Sequence, residues 1–265
     1  MKSAPKLALV FWLGQEAFKE RTAIMKNFVL ALAVVALIAT PSYGSLLMNE
    51  PFTYANGNLV GNGGWTNHSG TGSFIQVNAG VAQLAQGGGS REDAHRVFGS
   101  AQGTLYSAFD VTVDNANEAV YFAHLMIGAT TTFRSRVWVM PDPQGAGDFT
   151  LAISDTSTLG SQVPWGSGLD FGTTYRVVHS YNLSSGATSM WIDQATEAGT
   201  SVAAAITSTV EAVDAFALRQ AGGTSTQAID NACVATSYNE AYNCIPEPGT
   251  ALLLGLGIVG LIRRR

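Results

Sequence analysis

Lysine is missing from most of this chain. All four lysines lie within the first 26 of 265 residues. Between Ser45 and Ile245 the basic side chains, apart from histidine, are six arginines against ten Asp and six Glu, so this stretch has a formal charge of −10. Such an acidic domain repels phosphate backbones, so we expect no nucleic-acid partner. The lack of lysine also excludes P-loop nucleotide binding and Schiff-base catalysis, because both need its amine.

Cysteine is scarce as well, with Cys233 and Cys244 as the only two. Two thiols do not make a disulfide framework, and the sequence leaves open whether they pair or stay free. No His or Cys cluster accompanies them, so no zinc site is predicted. Charged residues make up only 12% of the chain and hydrophobic residues 46%, which provides for a sizeable core.

The usual catalytic patterns are absent too. No two acidic residues stand two apart, the spacing that would place the two carboxylates of a retaining glycosidase side by side on one strand. The chain has no GxSxG elbow, HExxH motif or EF-hand loop. We interpret the nearest acidic pairs as solvated surface acids: Asp114–Glu118, Asp193–Glu197 and Glu92–Asp93. The sequence therefore predicts no enzyme, with a glycoside hydrolase as the most remote alternative.

No cofactor is predicted, and one metal remains as an alternative. A calcium ion could be held by loop carboxylates and carbonyls, with Asp230 and Asn231 as contributors, although strand-end hydrogen bonding explains these two residues as well. The four histidines are scattered along the chain. We expect His124 and His179, which lie in apolar segments, to be core residues.

The segment from Met25 to Gly44 has the anatomy of a secretory signal peptide. Lys26 is its positive start, residues 28–38 are apolar, and small residues precede a cut between Gly44 and Ser45. A buried N-terminal helix is the alternative. The preceding residues 1–24 include two glutamates that do not fit such a leader, so we expect translation to begin at Met25 and residues 1–24 to be an over-extended start.

The C-terminal residues 243–265 combine three features. Pro246, Glu247 and Pro248 form an extended, hydrogen-bond-poor segment. An uncharged stretch of thirteen residues follows, about 20 Å long as a helix and short for a bilayer core of about 30 Å. The chain then ends in Arg263, Arg264 and Arg265, which resist translocation across the membrane.

This arrangement resembles the PEP-CTERM sorting signal of Gram-negative bacteria. The resemblance implies transient insertion of the C-terminal helix in the inner membrane, recognition of Pro246 to Pro248 by the membrane-embedded protease exosortase, removal of the tail and transfer to the cell surface. Such proteins belong to bacteria that make exopolysaccharide or biofilm. A plain tail anchor that contains these three residues by chance is the alternative.

Residues 45–242 read as one all-β domain. Polar and apolar residues alternate in ten segments separated by turns rich in Gly, Pro and Ser, which predicts an antiparallel β-sandwich. We expect a short helix or an irregular loop over residues 201–216. The strand segments are TLYSAFDVTV, FRSRVWVM, TYRVVHSYN, SFIQVN, GVAQLAQ, EAVYFAHLMI, DFTLAIS, ATSMWID, DAFALRQ and QAIDNACVAT.

Six stretches of this domain form a further pattern: Phe52–Tyr54, Gly63–Trp65, Tyr106–Val111, Tyr121–Phe122, Ile229–Asn231 and Val234–Thr236. Their order resembles that of the LamG-like, concanavalin-type jelly roll. The resemblance implies a fold, with carbohydrate or matrix contact as the usual associated role.

One strand carries a candidate ligand face. Arg134, Arg136 and Trp138 alternate, so we expect them to point the same way, opposite Phe133, Val137 and Val139. An aromatic plane and arginines would suit an acidic exopolysaccharide. The alternative is that Trp138 packs in the sandwich and the arginines only keep the surface soluble.

The sequence therefore predicts an exported, surface-sorted, non-enzymatic protein of the extracellular matrix, biofilm or envelope. A carbohydrate-binding module that takes exopolysaccharide is the alternative.

Overall fold

The computed structural model describes residues 44–128 and 130–244. These residues form two sheets in which every strand pairs antiparallel with its neighbours. The first sheet has nine strands: β1 (Leu46–Glu50), β2 (Gly57–Asn58), β4 (Gln76–Asn78), β5 (Val81–Ala85), β7 (Thr104–Asn115), β12 (Thr174–Asn182), β13 (Thr188–Ile192), β14 (Val202–Ala203) and β16 (Thr226–Ala235).

The second sheet has seven strands, in the order β11-β10-β9-β8-β15-β6-β3. The order in the nine-stranded sheet is β14-β13-β12-β7-β16-β5-β4-β2, and β1 pairs with the C-terminal half of β16. The seven strands are β3 (Trp65–Ser69), β6 (Asp93–Val97), β8 (Val120–Met126), β9 (Phe133–Pro141), β10 (Phe149–Ser154), β11 (Val163–Pro164) and β15 (Ala215–Leu218).

The core lies between the two sheets. Phe109 on β7 contacts Phe122 on β8 and Phe216 on β15, with ring centroids 5.9 and 6.0 Å apart. On β7 the residues at every second position, including Val111 and Val113, point into the same core, as their alternation predicts. The prediction of an all-β antiparallel sandwich is confirmed, and the topology is consistent with a jelly roll.

A short helix covers the outer face of the nine-stranded sheet. This helix, α1 (Tyr238–Asn243), has Ser237 as its N-cap, whose Oγ accepts from Glu240 N at 3.4 Å and donates to Glu240 Oε2 at 3.0 Å. Tyr238 packs against Tyr106 and Trp191 of the sheet. Residues 204–214, by contrast, follow the irregular path that was one of the two expectations there.

Two links hold the end of α1 to the sheet. Cys233 on β16 and Cys244 form a disulfide, with Cα atoms 5.6 Å apart, which answers the question that the sequence left open. Arg176 on β12 donates from Nε to Tyr242 O at 3.0 Å and from Nη2 to Ala241 O at 2.9 Å. The folded region therefore extends to Cys244, two residues beyond the predicted end of the domain.

Glu50, the last residue of β1, is buried in the core. Its side chain is fully buried and forms an ion pair with Arg96 at 2.7 Å. The carboxylate also accepts from Phe52 N at 2.7 Å, Tyr54 Oη at 2.7 Å and Trp65 Nε1 at 2.8 Å. Burial is the main cause, and the hydrogen bond to Glu50 the second, that raises the pKa of Tyr54 to about 12.

Candidate functional site

The predicted ligand face lies on β9, but its alternation is interrupted. Ser135 has a left-handed backbone, with φ of 49°, and its hydroxyl lies 2.8 Å from His179 Nδ1 in the core. Pairing with β8 shifts twice, between Tyr121 and Ala123 and between Ala123 and Leu125. One extra residue on each strand is a β-bulge, and a bulge moves the following side chains to the other face.

The bulge corrects the predicted composition of this face. Phe133, which was expected opposite Arg136, packs with Trp138 and Tyr121 on the outer side of the seven-stranded sheet. Arg134 is directed elsewhere: its Nε donates to Thr209 O at 3.0 Å. Of the predicted trio, the structure brings Arg136 and Trp138 together and separates Arg134 from them.

Tyr121 on β8 is the centre of the resulting cluster. Trp138 lies directly across in the strand pairing and meets it edge-on at 5.2 Å. Cζ of Arg219 lies 4.0 Å from the centroid of the Tyr121 ring and Cζ of Arg136 lies 5.4 Å from it. Guanidinium groups at these distances make cation–π contacts with the aromatic ring. Sequence reasoning missed Tyr121 and Arg219 as members of the site.

A surface depression of about 310 Å³ opens beside this cluster. Trp138 and Tyr121 are 2% and 8% exposed, so they contribute edges rather than open faces. Leu159, which is 71% exposed, stands at the rim. The depression is lined by Glu118, Ala119, Val120, Tyr121, Trp138, Ser157, Leu159, Arg219, Ala221, Gly222 and Gly223.

The Arg136 side chain is buried on this face. Its Nη1 donates to Asp155 O, whereas its Nε is buried without a partner. Burial lowers the pKa of the Arg136 guanidinium, and the neighbouring Arg134 acts in the same direction. Tyr121 and Asp155 act in the opposite direction and offset part of the cost of burying this cation.

Three histidines extend the same face. The rings of His68 and His95 lie 5.4 Å apart and those of His68 and His124 lie 6.1 Å apart. Burial lowers the pKa of His68 to about 4 and that of His124 well below its usual value. His124 and His179 are both fully buried, as expected from the sequence. Among residues 44–128 and 130–244, no three His, Cys, Asp or Glu side chains are placed to hold one metal ion.

One interpretation of the acidic residues is wrong. Glu92 and Asp93 are 2% and 6% exposed, not solvated. Glu92 accepts from Ile75 N at 3.0 Å, and Asp93 accepts from Ser69 Oγ at 2.6 Å and Gln220 N at 2.7 Å. Both sit at the start of β6, where buried donors need acceptors, and burial raises the pKa of each carboxyl.

Asp230 and Asn231 lie in β16 near Arg176. Asn231 Nδ2 donates to Asp110 Oδ2 at 2.8 Å, and Asp110 forms an ion pair with Arg176 at 3.2 Å. A second depression, of about 450 Å³, opens here and reaches Cys244. These contacts are a side-chain hydrogen bond between neighbouring strands and an ion pair. A role for Asp230 and Asn231 in calcium binding stays a prediction.

The sorting residues lie outside the described residues: Pro246, Glu247, Pro248, Arg263, Arg264 and Arg265. So does the predicted signal peptide up to Tyr43. Ser45, the expected new N-terminus, donates from its backbone N to Thr236 Oγ1 at 2.8 Å. In the described part of the chain no helix has the length and apolar character needed to cross a bilayer.

Comparison with known sequences identifies the C-terminal segment. Residues 245–265 match the PEP-CTERM protein-sorting motif. No curated protein matches the chain.

Comparison with solved structures shows the fold alone. A sialidase superposes with a TM-score of 0.50 at 12% identity over 74% of this chain, which spans only 19% of the sialidase. An alginate lyase bound to alginate trisaccharide gives a TM-score of 0.49 at 16% identity, and the match covers 72% of this chain and 97% of the lyase. Botulinum neurotoxin type C gives a TM-score of 0.45 at 9% identity, and the match covers 76% of this chain and 51% of the neurotoxin chain. Likeness this distant assigns no activity.

Proposed function

We propose that this protein is exported, processed at its C-terminus by an exosortase-type protease and retained at the surface of a Gram-negative bacterium. There it would be a non-enzymatic constituent of the extracellular matrix, biofilm or envelope. The observation that carries the proposal is the sorting motif at residues 245–265, which follows directly on a compact β-sandwich.

Each terminal segment has a role in this proposal. The signal peptide exports the domain and is cut between Gly44 and Ser45. The basic residues Arg263 to Arg265 stop the tail in the membrane, since charged side chains resist crossing. Pro246, Glu247 and Pro248 present an extended chain to the protease, because proline disfavours helix there. Tail removal then frees the sandwich for the surface.

The test is the identity of the mature C-terminus. In native cells, intact-mass measurement should find the protein without its arginine tail. Replacing Pro246, Glu247 and Pro248 with Ala should leave the tail attached, whereas Pro143→Ala, at an exposed turn after β9, should be processed normally. Recovery of surface-located wild-type protein that still ends at Arg265 would contradict the proposal.

Glycan binding is a second candidate function, supported by the Tyr121 cluster. Aromatic edges and guanidinium groups on one sheet face suit the ring and hydroxyl groups of a sugar. A glycan array would test it with the purified protein, and release of reducing sugar from the producer's own polysaccharide would instead indicate a glycosidase.

A further inference from the structure

We propose that the depression beside Tyr121 binds a carboxylated saccharide, with Arg219 as its anion-binding residue. This inference rests on the second proposed function, glycan binding, and adds the chemical group of the acidic ligand that is recognised and the residue that recognises it.

The Arg219 side chain contacts the Tyr121 ring but leaves most of its N–H donors without an acceptor in the described part of the chain. Its guanidinium lies 4.0 Å from the Tyr121 ring centroid, and within the described residues its only side-chain hydrogen bond runs from Nη1 to Tyr121 O at 3.4 Å. The remaining N–H donors are therefore available to a ligand. A guanidinium can present two parallel N–H donors, the geometry that matches a carboxylate.

The local charge also calls for an anion. In the described chain, Arg96, Arg134 and Arg176 each form an ion pair with a carboxylate. Arg91, Arg136 and Arg219 form none within this part of the chain, and of these three Arg219 lines the depression. A carboxylate bound there would neutralise the Arg219 guanidinium.

The nearby carboxylates do not fill this role. The Arg219 charge acts to lower the pKa of Asp93, but the Asp93 oxygens accept from Ser69 and Gln220. Glu118 is exposed at the rim of the depression. Neither lies within ion-pair distance of Arg219 among the described residues.

The shape and lining favour a sugar as the carrier of the carboxylate. A volume of about 310 Å³ is at the lower end for small-ligand sites. Gly222 and Gly223 have φ of 70° and 63°, so this wall carries no side chains where the chain turns. Leu159 and the edges of Tyr121 and Trp138 supply apolar contact for ring C–H groups.

The experiment is calorimetric titration of the full chain, purified in detergent, with trigalacturonate and with its methyl ester, which has the same rings without the charge. We expect trigalacturonate to bind more tightly than the ester. Arg219→Ala should weaken trigalacturonate binding by about 10- to 100-fold, the usual range for a charged hydrogen-bonded pair. The affinity of Arg219→Lys for trigalacturonate should lie between those of the wild type and Arg219→Ala, because lysine keeps the charge but cannot pair in bidentate fashion.

The matched control is Gln102→Glu, which changes the net charge equally at an exposed position before β7 and should bind like wild type. Circular dichroism melts confirm that each variant is folded. Equal binding of acid and ester would overturn this inference while glycan binding stands. Unchanged binding in Arg219→Ala, or no binding of trigalacturonate by the wild type, would also overturn it, whereas the sorting proposal depends only on the mature C-terminus.

Discussion

At the scale of single residues, Glu50 organises the end of the core near Trp65. Four donors converge on this one buried carboxylate, and its ion-pair partner Arg96 keeps 25% of its side chain exposed. Buried carboxylates persist when their hydrogen bonds are complete. The network fixes how the chain between β1 and β3 returns to the sandwich.

We therefore expect Glu50→Ala to lower the free energy of unfolding by about 3–5 kcal/mol, because it leaves Arg96 and three donors without their acceptor. Urea denaturation measures the loss. Glu118→Ala, at an exposed position outside any such network, is the control and should unfold near the wild-type midpoint. Equal midpoints for the two variants would show that the Glu50 network adds little.

Single residues also show where sequence reasoning stops. Arg136 and Trp138 could be chosen because a charged and an aromatic side chain stand two apart on one strand. Tyr121 and Arg219 could not, because they lie on separate segments that meet only through the pairing of β8 with β15. The bulge at Ser135 has no signature in the local pattern, yet it decides which side chain accompanies Arg136.

At the scale of elements, alternation found the long strands and missed the short or polar ones. All ten predicted segments contain strands, including β8 and β10, which are buried at every position and therefore do not alternate between core and solvent. The strands β2, β11 and β14 have two residues each, too few to show a period. The sequence did contain a signal for α1, because Ser237 and Glu240 have the capping-box spacing.

The connection between β16 and α1 carries the second stability prediction. Replacing Cys233 and Cys244 together by Ser removes a disulfide whose cysteines are 11 positions apart, and a loop of this size is worth about 3 kcal/mol. We expect the double variant to lose roughly this amount in urea denaturation. Wild type treated with a reductant should match it, whereas the variant should not respond to the reductant. Identical unfolding of oxidised and reduced wild type would contradict the prediction.

At the scale of the whole molecule, the histidines make stability depend on pH. Burial lowers the pKa of His68 to about 4 and that of His179 to about 3, while an unfolded histidine titrates near 6.5. Below pH 6.5 the unfolded chain therefore binds protons that the folded chain refuses. The stability that these histidines contribute is complete above pH 6.5 and is lost as the pH falls through about 4 for His68 and about 3 for His179.

We expect urea denaturation at pH 5.5 to show a lower free energy of unfolding than at pH 7.5. His68→Gln should make the difference smaller, because one proton-binding group of the unfolded chain is gone. Glu92 and Asp93, with pKa values raised by burial, gain protons in the folded state and oppose the loss at the acid end. A midpoint that does not move between the two pH values would contradict this account.

The disulfide at Cys244 has a mechanical consequence for the processed protein. Ordered structure runs to within one residue of the segment that matches the sorting motif. If the chain is cut early in that segment and joined to a surface component, a linker of only a few residues would connect the sandwich to that component. The domain could then not move far from its attachment point, so the end of the sandwich near Cys244 would stay close to the surface.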